Sequence, residues 1–322
     1  MEKLLEIINK FPERRVGVIG DLILDRYLFC EVERISPEAP VPVAKVLDEK
    51  YVLGGAANVA ANVRSLGGKA SILGVAGKDS RAALLRELFS RQGIDFEIAL
   101  EEGRPTTAKT RLLAQGQQMA RIDREDSKDI QSETEARIIA SLPPFLEKVE
   151  ILILSDYAKG VVTSSLAKKI IEMAGERKIK VLVDPVPETF EKFRDAYLIK
   201  PNKKEAEALA GAKFENDYSN LSEVLRILQA KFNSNLVVTL GKDGMAVLEE
   251  EGIYRVETAA QSVYDVSGAG DTVMAGLALG IAAGADLKTA ARISNFSAGV
   301  AVAKLGTATV SSAELKEALR VK

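Results

Sequence analysis

The 322-residue sequence contains no histidine and a single cysteine, Cys30. Without histidine there is no Ser-His-Asp triad, no Cys-His pair, no imidazole base and no His-ligated zinc. One cysteine closes no internal disulfide and supplies neither a four-Cys zinc site nor an iron–sulfur cluster. An excess of one charge is missing too. The 44 basic residues face 46 acidic ones for a net charge of −2, so no global field draws nucleic acid or an anionic membrane. The longest apolar run, Val273 to Ala285, falls short of the roughly 20 residues that cross a bilayer. The opening Met-Glu-Lys-Leu-Leu-Glu-Ile-Ile mixes charge with apolar residues and reads as a short amphipathic helix, not a signal peptide. A cytoplasmic chain is expected. Acid–base chemistry falls to Asp, Glu, Lys or Tyr, with phosphate or a hard metal as the natural partner.

What is present has the rhythm of an α/β protein. Short β-branched runs recur at 15–20, 70–75, 150–155, 179–184, 196–199 and 235–240. Runs such as Ile151-Leu-Ile-Leu154 show little alternation, as expected of strands covered on both faces. Helix-period segments at 56–67, 79–92, 132–147, 163–177, 219–232, 270–284 and 286–303 lie between or after them. This predicts one doubly wound, mostly parallel sheet with helices on both faces. Two stretches, 26–52 and 95–124, lack a helical period and carry strand-like sequence such as Thr106-Thr-Ala-Lys-Thr-Arg-Leu-Leu113. They are expected to form a small β-sheet lid that closes over a ligand or pairs with a second copy, giving a homodimer.

The strongest local motif is Asp265-Val-Ser-Gly-Ala-Gly-Asp271, directly before an apolar helix. Small residues at 268–270 let backbone N–H groups approach an anion, and the helix N-terminus adds partial positive charge. Asp271 then stands beside an anion site, where phosphoryl transfer needs a base. The same residues are also compatible with a glycine-rich turn whose acid merely complements the helix dipole. Gly54-Gly-Ala-Ala-Asn58 offers a close approach for a polar ligand and an amide for a sugar hydroxyl, or only a tight turn opening a helix. Gly20-Asp21-Leu-Ile-Leu-Asp25 ends the first strand, where open α/β sheets place ligands; either Asp could equally form a turn. Gly103–Thr110 lacks the glycine that precedes the lysine of a P-loop, and Val273 stands where a dinucleotide fingerprint has its third glycine.

Together these segments resemble the ribokinase-like (PfkB-type) carbohydrate kinases over essentially the whole chain. Longer stretches, Arg34–Val43, Ser155-Asp-Tyr-Ala-Lys-Gly160, Val263–Thr272 and Lys304-Leu-Gly-Thr307, resemble the kinase half of bacterial heptose-phosphate kinase/ADP-heptose synthases. The resemblance implies ATP-dependent phosphorylation of the anomeric hydroxyl of D-glycero-β-D-manno-heptose 7-phosphate. It implies Asp271 as base and the amides of Gly268, Ala269 and Gly270 as anion hole. Asp25, Gly54, Gly55 and Asn58 become sugar contacts. Asn202-Lys203-Lys204-Glu205 matches the family's Asn-x-x-Glu motif for ATP phosphates and Mg²⁺. Thr239, Gly241 and Gly244 would line the nucleotide, with Asn295 on the helix bordering adenine. A monovalent cation, K⁺, is implied near Asp265 and the 303–309 loop.

A sugar carrying a distal phosphate needs cations, and Lys109, Arg111 and Arg121 are the candidates by charge and position; a solvated basic edge strand is the alternative. Asp156, Tyr157 and Lys159 are expected to shape the cleft. Two positions depart from the family pattern: Val186 stands where lysine is expected, and Lys200 where a small polar residue is common. A chain without histidine cannot carry the His-x-Gly-His motif of a fused nucleotidyltransferase, so the kinase step alone is expected, with no nucleotidyltransferase domain. Rival readings are a kinase for another sugar, such as a fructose phosphate, and a catalytically silent sugar-binding protein on the same fold.

Overall fold

A computed structural model of the chain describes residues 1–249, 252–260, 262–304 and 306–320. Leu305, within the quoted Lys304–Thr307 segment, lies outside the described residues. The strands are β1 (Arg15–Ile35), β2 (Pro42–Gly55), β3 (Lys69–Gly77), β4 (Asp95–Glu101), β5 (Thr107–Ala114) and β6 (Gln117–Arg124), followed by β7 (Ile151–Ser155), β8 (Lys180–Asp184), β9 (Leu198–Ile199), β10 (Asn235–Thr239), β11 (Met245–Glu249) and β12 (Gly252–Val256). The helices are α1 (Glu2–Asn9), α2 (Ala56–Ser65), α3 (Ser80–Gln92), α4 (Ser132–Leu146), α5 (Ser164–Glu176), α6 (Lys203–Ala210), α7 (Leu221–Phe232), α8 (Ala269–Ala282), α9 (Leu287–Ala301) and α10 (Ser312–Arg320).

The main sheet runs β12-β11-β10-β9-β8-β7-β1-β3-β4. It is parallel from β10 to β4, with β11 and β12 added antiparallel at one edge. Its central strands serve two cores, which explains their unbroken apolar runs. Ile151 and Ile153 of β7 pack with Val59, Met274 and Ile293 on one face. Leu152 and Leu154 pack with Leu142, Ile170 and Leu228 on the other. At roughly 1.5–3 kcal/mol for each large side chain buried, these layers dominate the stability. The order in which the chain lays down strands reverses between β1 and β7, so the crevice at their carboxyl ends is where an open sheet binds ligands.

β1 is long enough to belong to two sheets. Its first half pairs with β3 and β7; from Leu22 onward it pairs with β2, and from Ile23 with β5, while β6 extends this second layer. The lid is thus a continuation of a core strand, and the middle of β1, where it passes from one sheet to the other, delivers Asp21 and Asp25 to the junction. The second lid piece is shorter than the expected 95–124. Residues 95–101 form β4, the parallel edge strand beside β3, in register from Ser71↔Asp95 to Gly77↔Glu101. Lid pairing begins only at Thr107. α6 and the β11–β12 pair have no counterpart among the expected runs.

Candidate active site

α8 starts at the glycine-rich turn, with Gly268 as its N-cap at φ 75°, a left-handed conformation that glycine adopts without strain. A side chain at Gly268 would come within 2.9 Å of Asn58 Nδ2, and one at Gly270 within 3.5 Å of Lys200 Nζ. The helix start therefore stays bare on its cleft side. Of the three amides expected to form an anion hole, that of Ala269 instead donates to the Val266 carbonyl at 3.2 Å, closing the turn.

Asp271, in the first turn of α8, is only 4% exposed. Its Oδ2 accepts a hydrogen bond from Asn58 Nδ2 and its Oδ1 one from the Tyr157 hydroxyl, each at 2.6 Å. Burial pushes the carboxyl up to about 7, against those two hydrogen bonds, with Asp184 adding to the rise and the Lys200 cation opposing it. A carboxylate that exchanges its proton near neutrality is suited to general-base work. Asn58, expected to hold a sugar hydroxyl, is engaged differently. Its amide nitrogen meets Asp271, and its Oδ1 accepts from Asn62 Nδ2 at 3.3 Å. Asn62 is itself fixed by the Thr272 hydroxyl at 2.9 Å.

Tyr157 reaches Asp271 because the loop after β7 is tied to the middle of β1, where that strand leaves the main sheet. Buried Asp21 accepts from the amides of Tyr157 (2.7 Å), Lys159 (3.1 Å) and Val161 (3.2 Å). Burial, with Asp156 nearby, raises Asp21 to about 6. Asp156 pairs with Lys192 Nζ at 2.7 Å, and Lys159 with Glu125 at 2.8 Å. Asp156 and Lys159 thus shape the loop, whereas Tyr157 touches Asp271. The signal for Tyr157 in the sequence was its place, two residues beyond a buried strand beside the reversal of strand order.

One face of Asp271 opens on a cavity of about 830 Å³. Its lining contains every residue expected for ATP: Asn202, Lys203, Lys204, Glu205, Thr239, Gly241, Gly244 and Asn295, with Gly268, Ala269 and Gly270 at the inner end. The side chains of Asn202 and Glu205 also form a capping box on α6. Asn202 Oδ1 accepts from the Glu205 amide at 3.0 Å, and Glu205 Oε2 from the Asn202 amide at 2.7 Å. Asn295 Nδ2 donates to the Glu257 carbonyl at 2.6 Å, which ties α9 to the cavity wall.

Val186 and Lys200 face this cavity together. Lys200 Nζ lies 2.9 Å from Asp184 Oδ1. Burial works against this cation, but Asp184, then Glu205 and Asp271, hold its pKa above the usual lysine value. The cation missing at 186 thus has a counterpart at 200, a pairing of departures visible in the sequence but not interpretable there. Among the described residues, no group of three or more His, Cys, Asp or Glu side chains gathers as a metal site. Asn202 and Glu205, oxygen-bearing and in the cavity lining, are the residues that would lie near a Mg²⁺ carried on nucleotide phosphates.

The lid approaches Asp271 by way of Tyr157, whose hydroxyl donates to Asp271 and feels the charge of Asp25. Arg111 on β5 donates to Asp25 Oδ1 at 2.5 Å, with both side chains largely buried, and stacks over the Tyr27 ring at 5.3 Å. Gly54 presses against the same carboxylate: a Cβ there would lie 2.5 Å from Asp25 Oδ2. Gly55 forms the N-cap of α2. In the β5–β6 register Lys109 stands opposite Asp123, and Arg111 opposite Arg121. Lys109 Nζ lies 3.9 Å from Asp123, and Arg121 Nε donates to it at 2.9 Å. The expected substrate cations thus share one face of the lid, each beside a carboxylate.

A model of the pfkB family of carbohydrate kinases matches residues 13–314. The chain belongs to this family. It is an ATP-dependent carbohydrate kinase with a ribokinase-like fold. This pfkB kinase is 42% identical over 303 residues to the "Bifunctional protein HldE" of a Nitratiruptor species, covering 94% of this chain and 64% of that protein. It is 41% identical over 315 residues to the protein of the same name from Desulfatibacillum aliphaticivorans, covering 97% and 64%. The chain therefore spans about 64% of the length of these relatives. Phosphofructokinase-2 from Escherichia coli, solved in complex with potassium, superposes with a TM-score of 0.80 at 20% identity, covering 96% of this chain and 98% of that one. Among the described residues, no helix of this pfkB kinase is long and apolar enough to cross a membrane.

Proposed function

We propose that this kinase transfers the γ-phosphoryl group of ATP to the anomeric hydroxyl of D-glycero-β-D-manno-heptose 7-phosphate, giving the 1,7-bisphosphate, an early precursor of ADP-heptose and the lipopolysaccharide core. The observation that carries the reading is the position of Asp271. It lines a nucleotide-sized cavity, and its donor Tyr157 feels the charge of Asp25, on the lid face that also bears Lys109, Arg111 and Arg121.

In this reading the Asp271 carboxylate accepts the proton of the sugar hydroxyl as that oxygen bonds to the γ-phosphorus. The bond from phosphorus to the β–γ bridging oxygen breaks, and ADP leaves with the electron pair. With the Ala269 amide spent on Val266, the anion role rests on Gly268 and Gly270, aided by the partial charge of the α8 N-terminus and by Lys200. Mg²⁺, when bound, supplies charge neutralisation on the nucleotide phosphates. Asp25 and Gly54 would hold sugar hydroxyls, and the basic lid residues the distal phosphate. Support for a heptose comes from the subfamily segments in the sequence and from the two HldE relatives.

The same reading extends to three further features. Asp265 accepts from the Ser267 and Gly306 amides at 2.8 and 2.9 Å, which supports a loop ordered around K⁺, as does the potassium complex of the phosphofructokinase neighbour. Ile35, Val41, Val46, Leu47, Met119 and Ile122 are exposed on the lid segments, which supports a homodimer through the lid strands. Use of ATP and a soluble sugar phosphate supports a cytoplasmic enzyme. The deciding experiment is a ³¹P spectrum of the product formed from the β-heptose 7-phosphate and ATP, alongside fructose 6-phosphate. A new anomeric phosphate on the heptose, with slower turnover of the fructose ester, is expected. Preference for the fructose ester would overturn the heptose assignment, and no turnover with any sugar phosphate would overturn the kinase assignment.

A further inference from the structure

Every oxygen of the Asp271 carboxylate is already met by a donor, and the two donors differ in kind. Asn58 belongs to a buried helix and is braced by Asn62 and Thr272. Tyr157 sits half-buried on a loop that the fold holds at some cost. Three amides of that loop converge on Asp21, and Ala158 takes a φ of 53°, a left-handed conformation uncommon for a residue with a side chain. Asp156 fixes the loop further by accepting from the Ala158 amide at 2.9 Å. The outcome of this arrangement is a phenol delivered to Asp271 Oδ1 at 2.6 Å.

The surroundings restrict what that phenol can do. Burial, with Asp271 and Asp184 next and Asp25 behind them, raises the Tyr157 hydroxyl well above its usual range. It stays protonated and acts as a donor, so it is not itself the base. Each carboxylate oxygen accepts more than one hydrogen bond, so Oδ1 and Oδ2 both retain a lone pair for the sugar hydroxyl. We propose that Tyr157 is a positioning residue of the phosphoryl transfer: its hydroxyl, docked through the Asp21 clamp, orients the Asp271 carboxylate toward the acceptor hydroxyl and favours its charged form.

This rests on the reading of Asp271 as base, so the test includes Asp271→Asn. The groups that set the Asp271 environment are Tyr157 and Asn58 as donors, Asp184 as a like charge and Lys200 as an opposite one. Removing the phenol alone takes away a bond made to the ionised form, so the base should hold its proton to higher pH. The measurement is the pH dependence of kcat and of kcat/KM for wild type, Tyr157→Phe and Asp21→Asn, with both KM values and Tm.

Tyr157→Phe should move the acid limb, near pH 7 in the wild type, upward by about one unit. Its kcat at neutral pH should fall roughly tenfold to a hundredfold, while KM for ATP stays unchanged. Asp21→Asn, which loosens the clamp without touching Asp271, should shift the limb in the same direction. An unmoved limb in both variants, or a pH-independent loss that tracks a fall in Tm, overturns the positioning role. Turnover retained in Asp271→Asn overturns the base reading itself, and is told apart because the other two variants are not needed to see it.

Discussion

The cavity and the lid are built from different materials. On the cavity side the wall mixes backbone and small or apolar side chains, among them Gly268, Gly270, Val263, Val266 and Val302, with charged ones such as Asp184, Lys200 and Lys203, around a volume of about 830 Å³. Asn202 and Glu205 there are held by a helix cap, Asn295 by a backbone carbonyl and Lys200 by its ion pair with Asp184. On the lid side the binding groups are charged side chains satisfied by one another, Arg111 with Asp25 and Arg121 and Lys109 with Asp123. A cavity whose polar side chains are already braced is formed before its ligand arrives. A face closed by ion pairs must exchange partners, and a sugar phosphate can do that by offering hydroxyls to Asp25 and an anion to Arg111. In the proposed reading the nucleotide enters a formed cavity, whereas the sugar phosphate exchanges partners with the ion pairs of the lid.

The largest expected effect lies at Asp271 itself. Asp271→Asn keeps the shape but cannot take a proton, and should lower kcat by roughly 10²–10⁴-fold with little change in ATP binding. Steady-state kinetics with isothermal titration of ATP checks this, and near-normal turnover removes Asp271 as base. The contrast between the two sides is sharpened by Arg111→Ala. A charge-assisted hydrogen bond is worth about 1.5–3 kcal/mol, so KM for the sugar phosphate should rise roughly tenfold to a hundredfold. KM for ATP should hold within about twofold, because the cavity does not use Arg111; equal effects on both would erase the distinction between the two sides. The smallest catalytic effect should come from Ile122→Lys, at an exposed position of β6. Sedimentation should show a shift from dimer to monomer at micromolar concentration, with ATP affinity unchanged. A wild-type monomer would refute the lid dimer.

Much of this frame is legible along the chain. The alternation of apolar runs and helical periods reveals the parallel sheet, since a strand buried on both faces leaves no polar positions, as in Ile151–Leu154. The Gly268-Ala-Gly270-Asp271 turn is legible because its parts are consecutive. The lid's true extent is hidden for a physical reason. β4 is an edge strand whose first residues, Asp95–Glu97, are exposed, so it carries the half-polar pattern of a lid strand although its partner is the core strand β3.

The contacts that turn these motifs into a site join distant residues. Asn58 and Asp271 are 213 positions apart, Tyr157 and Asp271 114, and Arg111 and Asp25 86. No local pattern states that Asn58 and Tyr157 donate to Asp271, or that Lys200 faces the cleft left bare by Val186. The amino-acid inventory and its local order set the chemistry on offer: with no histidine, acid–base work left to Asp, Glu, Lys or Tyr, and a glycine turn directly before Asp271. The protonation state of that carboxylate is settled only in the folded molecule. Its burial and its two donors come from elements brought together by the sheet, and a proton's affinity depends on those neighbours in space.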